Sequence, residues 1–276
     1  MRLVSYASER GARAGVVVGE RVVDVWDRLD EPGRSVRELL AAGRLGDVAA
    51  IGEGAGPALA DVSLLPPIPD PGKIVCIGLN YHAHAAEAGM EPPQSPTFFA
   101  KFANALAGPG ATVELPRASS KVDFETEVAF VIGRRAHEVG EEDALEHLAG
   151  YMLLNDLSAR DLQFATPQWM PGKVFDGSAP CGPELVTPDE TGDVIEIALD
   201  LNGERMQQAT TADLVFGVGA LISHLSSLMT LEPGDVVSTG TPAGVGSTRE
   251  PRVWLKPGDE LVVSSPQLGR LETRIG

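Results

Sequence analysis

Cysteine is almost missing from this chain. Of 276 residues only Cys76 and Cys181 are cysteines, and no CxxC occurs. A disulfide framework and a four-cysteine zinc site are both excluded. Basic residues are scarce as well: 22 Lys and Arg stand against 39 Asp and Glu, a formal net charge of −17. This balance argues against nucleic acid or an anionic membrane as a partner of the whole surface. It leaves an anionic small substrate open, because a few local cations or a metal can reverse the field inside a pocket. The N-terminal stretch MRLVSYASERGARAG has no apolar signal core, being interrupted by Glu9 and Arg10. There is no long hydrophobic run either. The longest uncharged stretch, 214–231, contains Gly217, Gly219, Ser223, His224, Ser226 and Ser227, which reads as a buried helix and not a membrane span. The expected location is the cytoplasm. The common catalytic signatures GxSxG, HExxH, Walker A and GxGxxG are absent. GTPAGVG at 240–246 shares only its glycines with a phosphate loop and has no lysine.

What is present is an ordinary globular composition, 43% hydrophobic and 22% charged, in a chain long enough to bury a sizeable core. The 31 glycines and 21 prolines are scattered without a repeat, which favours many turns and a β-rich fold. Short strands are expected at 3–6, 15–18 and 22–25, a helix capped by Ser35 through residue 40, and a weak helix at 47–51. LPPIPDPGK at 65–73 reads as a linker, because its four prolines fit neither a helix interior nor a central strand. The domain reading is therefore a small N-terminal unit, 1–65, and a larger one, 73–276. Beyond the linker, strands are expected at 74–78, 124–132, 151–154 and 195–201, the last followed by Asn202-Gly203, a strong hairpin signal. Helices are expected at 81–88 and 144–148, with one long helix at 212–228. LEPGDVV and LKPGDEL each read as a turn feeding a strand.

The segment VDFETEVAFVIG, 122–133, carries the most chemistry. Strand alternation puts Asp123, Glu125 and Glu127 on one face with Ala129 and Val131. Two glutamates two residues apart can reach one hard cation, or they can form a solvated edge face that blocks aggregation. NDLSARDLQ, 155–163, shifts the balance towards a cation site. Asp156 ends an apolar strand and offers a third carboxylate, the usual oxygen set for Mg²⁺. Arg160 and Gln163 share a helical face, with Asp161 pointing elsewhere. In GLNYHAHAAE, 78–87, His84 and Glu87 also share a helical face. They are either a surface pair or a histidine oriented by a carboxylate for proton transfer, with His82 on the far side. Lys101 and Lys173 lie in apolar or glycine-rich settings; each is a site cation or a lysine whose stem packs on its neighbours. Thr241 lies in a glycine-rich loop that is either a plain connection or a set of N–H groups for a carboxylate. The segment 80–92, rich in alanine and poor in bulk, is expected to act as a mobile lid.

Together, GLNYHAHAAE, PTFFAKFANALAGPG, VDFETEVAFVIG, NDLSARDLQ, PGKVFDGSAPCGP and GDVVSTGTPAGVG occur in the order of the fumarylacetoacetate hydrolase family, which the chain resembles over about residues 73–275. The resemblance is to the short bacterial members that act on acylpyruvates, oxaloacetate or related acids. It implies a mostly β fold with some α: a mixed, rolled β-sandwich of the fumarylacetoacetate hydrolase C-terminal type, with a small N-terminal α+β domain, usually as a homodimer. It implies Mg²⁺ or Mn²⁺ held by Glu125, Glu127 and Asp156. It gives His84 and Glu87 the role of a water-activating dyad, Lys173 that of stabilising an enolate or oxyanion, and Arg160, Gln163 and Thr241 that of holding substrate, with Lys101 in a matching segment. Val174 stands where many members have a serine. The implied reaction is hydrolysis of a C–C bond in a small anionic diketo acid. Decarboxylation of oxaloacetate, or isomerisation in aromatic catabolism, is the alternative, and a silent metal or ligand binder is a reading from another class.

Overall fold

A computed structural model describes residues 1–52 and 54–276. The fold is mostly β, built on two mixed sheets that stay open. The larger sheet has eleven strands. Its centre is Thr126–Ile132, hydrogen-bonded to Leu148–Asn155 on one side and Val236–Ser238 on the other. All seven residues of that strand are buried, as a strand covered on both faces must be. From this centre the sheet runs through Ile74–Gly78 to an edge at Thr97–Lys101. In the other direction it runs through Ala179–Val186 to Arg2–Ser8, Gly11–Val18 and Arg21–Asp24.

The second sheet has five strands. Its hairpin Glu196–Leu201/Glu204–Thr210 turns at Asn202-Gly203, both with positive φ (52° and 82°), the turn that matches strand twist. The two sheets pack face to face through Val128, Leu153 and Val186 on one side and Leu199, Val263 and Leu271 on the other. Alternate residues of the central strand serve other layers. Ala129 and Val131 join a core with Leu3, Val16 and Trp26, while Phe130 and Ile132 pack on Leu221, Ile222 and Leu225 of the helix Val218–Leu228.

Three expectations are refined. The proline linker at 65–73 divides the chain but not the core. Arg2 and Leu3 pair with Val186 and Leu185, and Ser5 Oγ donates to the Pro67 carbonyl at 2.8 Å, so residues 1–65 extend the same sheet. The expected strand 124–132 breaks near its start. Val122–Asp123 pairs with Ser158–Ala159, and the N–H groups of Glu125 and Thr126 go to the side chains of Asn155 and Gln207 at 3.0 and 2.9 Å. The expected helix 212–228 begins only at Val218, because Leu214 bridges to Tyr81 and the Phe216 N–H donates to Asn80 Oδ1. Among the described residues no helix is long and apolar enough to cross a membrane.

Candidate active site

The break before Thr126 is where the site forms. Glu125, Glu127 and Asp156 are buried, and one carboxylate oxygen from each lies within 4.8 Å of the others. Glu127 sits on the central strand, Asp156 just past the neighbouring strand, and the Asp156 N–H donates to the Glu125 carbonyl at 2.8 Å. Buried cations surround the cluster. Lys173 Nζ lies 2.6 Å from Glu125 and 2.7 Å from Asp156. Lys101 Nζ lies 2.6 Å from the other Asp156 oxygen. Arg160 Nη2 lies 2.7 Å from Glu125 and 2.9 Å from Asp123. Lys173 also stands 5.0 Å from the Phe99 ring centroid, within cation–π range.

Glu127 is the exception. Among the described residues no Lys or Arg reaches it; its Oε2 accepts from Ser238 Oγ and from the Gly240 N–H. Burial pushes its carboxyl well above the ordinary range, and Asp156 and Glu125 add repulsion. Burial pushes Glu125 up too, but Arg160 and Lys173 outweigh it and hold this group well below the ordinary range. Lys173 is raised, since its two carboxylates outweigh burial. Four buried carboxyl groups (Asp123, Glu125, Glu127, Asp156) thus face three buried cations, and Glu127 is the one whose ionised form is not balanced by a paired cation. All the donors are hard oxygens. This set fits a divalent ion such as Mg²⁺ or Mn²⁺.

His84 and Glu87 lie on the short helix His82–Glu87, with Nδ1 to Oε2 at 3.3 Å. Both Glu87 oxygens also accept from the Gly244 N–H, at 3.0 and 3.1 Å. Burial raises the Glu87 carboxyl, but the bonds from His84, Thr248 and Gly244 more than offset it, so the group ends below its ordinary value. The helix is better anchored than its alanines suggest: Tyr81 and Ala85 are buried, and Asn80 Nδ2 donates to the carbonyls of Phe216 and Thr239. His82 is exposed.

One cavity of about 670 Å³ is lined by His84, Glu125, Glu127, Arg160, Gln163, Lys173 and Thr241, so the sequence-derived residues are brought together. Two sit differently from expectation. Lys173 directs its charge at carboxylates of the site, and Thr241 Oγ1 is committed to the fold, donating to the Thr126 carbonyl at 3.0 Å and accepting from Gln207 at 2.9 Å. Gln163 accepts from Arg160 Nη1 through Oε1 at 2.9 Å, leaving its amide N–H groups for a ligand. Lys101 and Glu87 do not line the cavity: Lys101 is buried against Asp156, and Glu87, on the exposed side of its helix, is tied to His84 and Gly244. The sequence reading placed Asp123 near the site without a role. Its oxygens take Arg160 together with the N–H groups of Gly246 and Ser247 at 2.7 and 3.0 Å. It also missed the wall residues Leu79, Trp169, Lys121, Arg252 and Trp254, which lie in loops with no periodic signal. Asp161, expected to point away from the face of Arg160 and Gln163, is half-buried on the wall and bonded to Ser119 and Ser120.

Comparison with known proteins gives the same picture. Residues 73–276 match the family model of the fumarylacetoacetate (FAA) hydrolase C-terminal domain. The chain is 43% identical over 220 residues to oxaloacetate tautomerase fahd2, mitochondrial, of Xenopus laevis, covering 78% of this chain and 69% of that one. Among solved structures it resembles the fumarylacetoacetate hydrolase of Exiguobacterium antarcticum (TM-score 0.87, 33% identity, 100% and 99% of the two chains covered). It also resembles maleylpyruvate hydrolase from Sphingobium sp. SYK-6 in complex with manganese(II) and pyruvate (TM-score 0.81, 30% identity, 100% and 98% covered).

Proposed function

The chain belongs to the fumarylacetoacetate hydrolase family, and from that premise we propose that it is a divalent-metal-dependent hydrolase of acylpyruvate-like diketo acids. The observation that carries this reading is that an oriented histidine, His84, lines the same cavity as Glu125 and Glu127 of the buried carboxylate triad. Glu125, Glu127 and Asp156 would hold Mg²⁺ or Mn²⁺. Bound there, the ion supplies Lewis-acid stabilisation of negative charge on the oxygens of a 2-oxo acid. The chain's own groups do the rest. Gln163 donates to the substrate carboxylate, and Arg160 holds Gln163 and Glu125 in place. Glu87 accepts Nδ1–H of His84 and leaves Nε2 to take a proton from water. The water oxygen bonds to the distal carbonyl carbon, and the bond from that carbon to the methylene breaks. Its electron pair leaves with the methylene carbon as the enolate of pyruvate, and the proton on His84 goes to that methylene carbon, which becomes the methyl group of pyruvate. The products are pyruvate and a carboxylic acid. The manganese and pyruvate in the Sphingobium relative support this reading.

A second reading, keto–enol tautomerisation of oxaloacetate, is favoured by the names of relatives that are 39–43% identical. The experiment is product analysis with Mg²⁺ or Mn²⁺ present and after chelation. Hydrolysis requires pyruvate release from an acylpyruvate, dependent on the ion, and a loss of roughly 10²–10⁴ in rate for His84→Ala. If no pyruvate forms while the enol of oxaloacetate disappears faster than in buffer, the second reading replaces the first. Carbon dioxide release from oxaloacetate would assign decarboxylation.

A further inference from the structure

His84 stands on a helix of only six residues, His82–Glu87. A helix this short does not hold itself, so its place over the cavity is set by tertiary anchors. Glu87 supplies one at the far end, through the Gly244 N–H at 3.0 and 3.1 Å. The start has no local anchor. Tyr81 occupies the cap position, and its side chain gives no hydrogen bond to the free N–H groups there. The bond comes from a distant segment: Asp213 Oδ2 accepts from the Ala83 N–H at 3.1 Å, across 130 residues. Asp213 is half-buried in the short turn Thr211–Asp213, which follows a hairpin of the five-stranded sheet. That turn is fastened on both sides. The Thr211 N–H donates to the Ile195 carbonyl and Thr211 Oγ1 accepts from the Ile195 N–H, each at 2.9 Å. The Val215 and Phe216 N–H groups donate to the Asn80 carbonyl and to Asn80 Oδ1, at 2.8 and 2.9 Å. The carboxylate is not spent on an ion pair. Among the described residues no Lys, Arg or His lies within ion-pair distance of Asp213, and the Ala83 N–H is its one side-chain hydrogen bond.

We propose that Asp213 is a positioning residue for His84. It does not line the cavity; it acts through the helix, by fixing the residue immediately before the histidine. The inference rests on the proposed function for what His84 does, and it adds what holds His84 in place. With a carboxylate bond at each end, the six-residue helix keeps one position against the glycine-rich loop and the Thr211–Asp213 turn. Without Asp213 the first turn frays, and the imidazole spends less time where it can take a proton from water. One lost cap corresponds to about fivefold in local opening. The loss should fall on kcat, because Arg160, Gln163 and the three triad carboxylates lie on other segments and should leave KM in place.

The test compares wild type with Asp213→Ala, Asp213→Asn and Asp213→Glu, all loaded with Mg²⁺. Hydrogen exchange over residues 82–88, read by mass spectrometry, should be about fivefold faster in Asp213→Ala. Asparagine can accept the same bond through its carbonyl oxygen and should restore protection; glutamate, one methylene longer, should not. In acylpyruvate hydrolysis Asp213→Ala and Asp213→Glu should lower kcat about tenfold with KM within about twofold, and Asp213→Asn should stay near wild type. In a His84→Ala background Asp213→Ala should cost nothing further, and the Mg²⁺ affinity measured by calorimetry should not move. A merely structural role would weaken Mg²⁺ binding and slow the His84→Ala enzyme as well. If Asp213→Ala does not fold, Asp213→Glu carries both measurements. Unchanged exchange in the alanine and glutamate variants would overturn the positioning role, and so would an equal loss of rate with and without His84. If wild type releases no pyruvate from any acylpyruvate, the proposed function fails, and the exchange measurement decides by itself whether Asp213 holds the helix.

Discussion

Replacing Glu127 by glutamine should make the metal-free protein more stable. Glu127 is buried, is repelled by Asp156 and Glu125, and among the described residues has no Lys or Arg within ion-pair distance, Lys173 acting on it only from farther off. Its two hydrogen bonds come from Ser238 Oγ and the Gly240 N–H to a single oxygen, which a glutamine carbonyl can supply equally well. Glu127→Gln therefore keeps the bonds, removes the uncompensated charge and turns a repelling oxygen into a donor. Relief of one such charge is worth about 1–3 kcal/mol, and in a chain of this size that shifts Tm by about 2–5 °C. The same change removes a metal ligand. Wild-type protein at a thousand times the Kd for Mg²⁺ should gain about 4.1 kcal/mol; the variant should gain almost nothing. Thermal melts in EDTA and in excess Mg²⁺ should thus cross, the variant melting higher in EDTA and the wild type higher in Mg²⁺. Asp156→Asn is the internal control. Its carboxylate is paired with both Lys101 and Lys173 at 2.6 and 2.7 Å, so losing the charge takes from Lys101 the carboxylate it faces, leaves Lys173 with Glu125 alone, and should cost about 3–5 kcal/mol in EDTA. If Glu127→Gln melts lower than wild type in EDTA, or keeps the Mg²⁺ shift, the charge imbalance assigned to the cluster is wrong.

Arg160→Lys should lose the planar fork that joins Asp123, Glu125 and Gln163, since one ammonium cannot reproduce it; KM for a 2-oxo acid should rise about tenfold or more in steady-state assays, and an unchanged KM would remove the orienting role. Deleting residues 1–65 should leave the strand Ala179–Val186 without its neighbour and uncover the core that Leu3, Val16 and Trp26 share with Ala129 and Met152; the remainder should express as aggregate, and a soluble, cooperatively melting fragment would restore an independent N-terminal domain. Glu87 has a lowered folded-state pKa, so its tie to His84 and Gly244 adds stability above the unfolded value near 4.3. That contribution is lost as pH falls through the lower folded value, and wild type and Glu87→Gln should converge in Tm on acidification; a difference that grows below pH 4 would contradict the assignment.

The residues of the site were legible in the sequence because each chemical type stands in a short phrase whose spacing survives folding. His84 and Glu87 are three apart on a real helix, Arg160 and Gln163 three apart on another, and Asn202-Gly203 makes its hairpin. The partnerships were not legible. Lys173 reaches Glu125 across 48 residues, and nothing local marks which charge it will face. The same holds for the N-terminal unit. A proline-rich segment is a local signal for a linker, but the pairing of Leu3 with Leu185 is a long-range choice set by which sheet edge is left uncovered. The alternation that puts Asp123 on one face with Glu125 and Glu127 survives the break in the strand: Asp123 and Glu125 share Arg160 Nη2, while Phe124 and Val128 face the core between the sheets. The break itself was not legible, because the side chains of Asn155 and Gln207 take the N–H groups there, and a side chain that replaces a ladder partner leaves no periodic trace.

The glycine-rich phrase at 240–246 shows how the two kinds of information join. Read as a phosphate loop it lacks the lysine, and its chemistry is different. The Gly240 N–H holds Glu127, the Gly244 N–H holds Glu87, and the Gly246 N–H holds Asp123. Successive backbone N–H groups do bind anions here, but the anions are the protein's own carboxylates: one from the triad, one behind the histidine, one behind the arginine. Glycine is required at two of these points by conformation and space. Gly240 has φ 95° and would bring a Cβ to 3.0 Å from the Ile77 carbonyl; Gly244 has φ 103° and would bring one to 2.3 Å from the Met206 carbonyl. A single loop therefore sets the relative positions of three carboxylates of the candidate site: Glu127 of the buried triad, Glu87 beside His84 and Asp123 beside Arg160. This is a physical reason for chemistry scattered over residues 84–173 to depend on a segment that itself carries no titratable side chain.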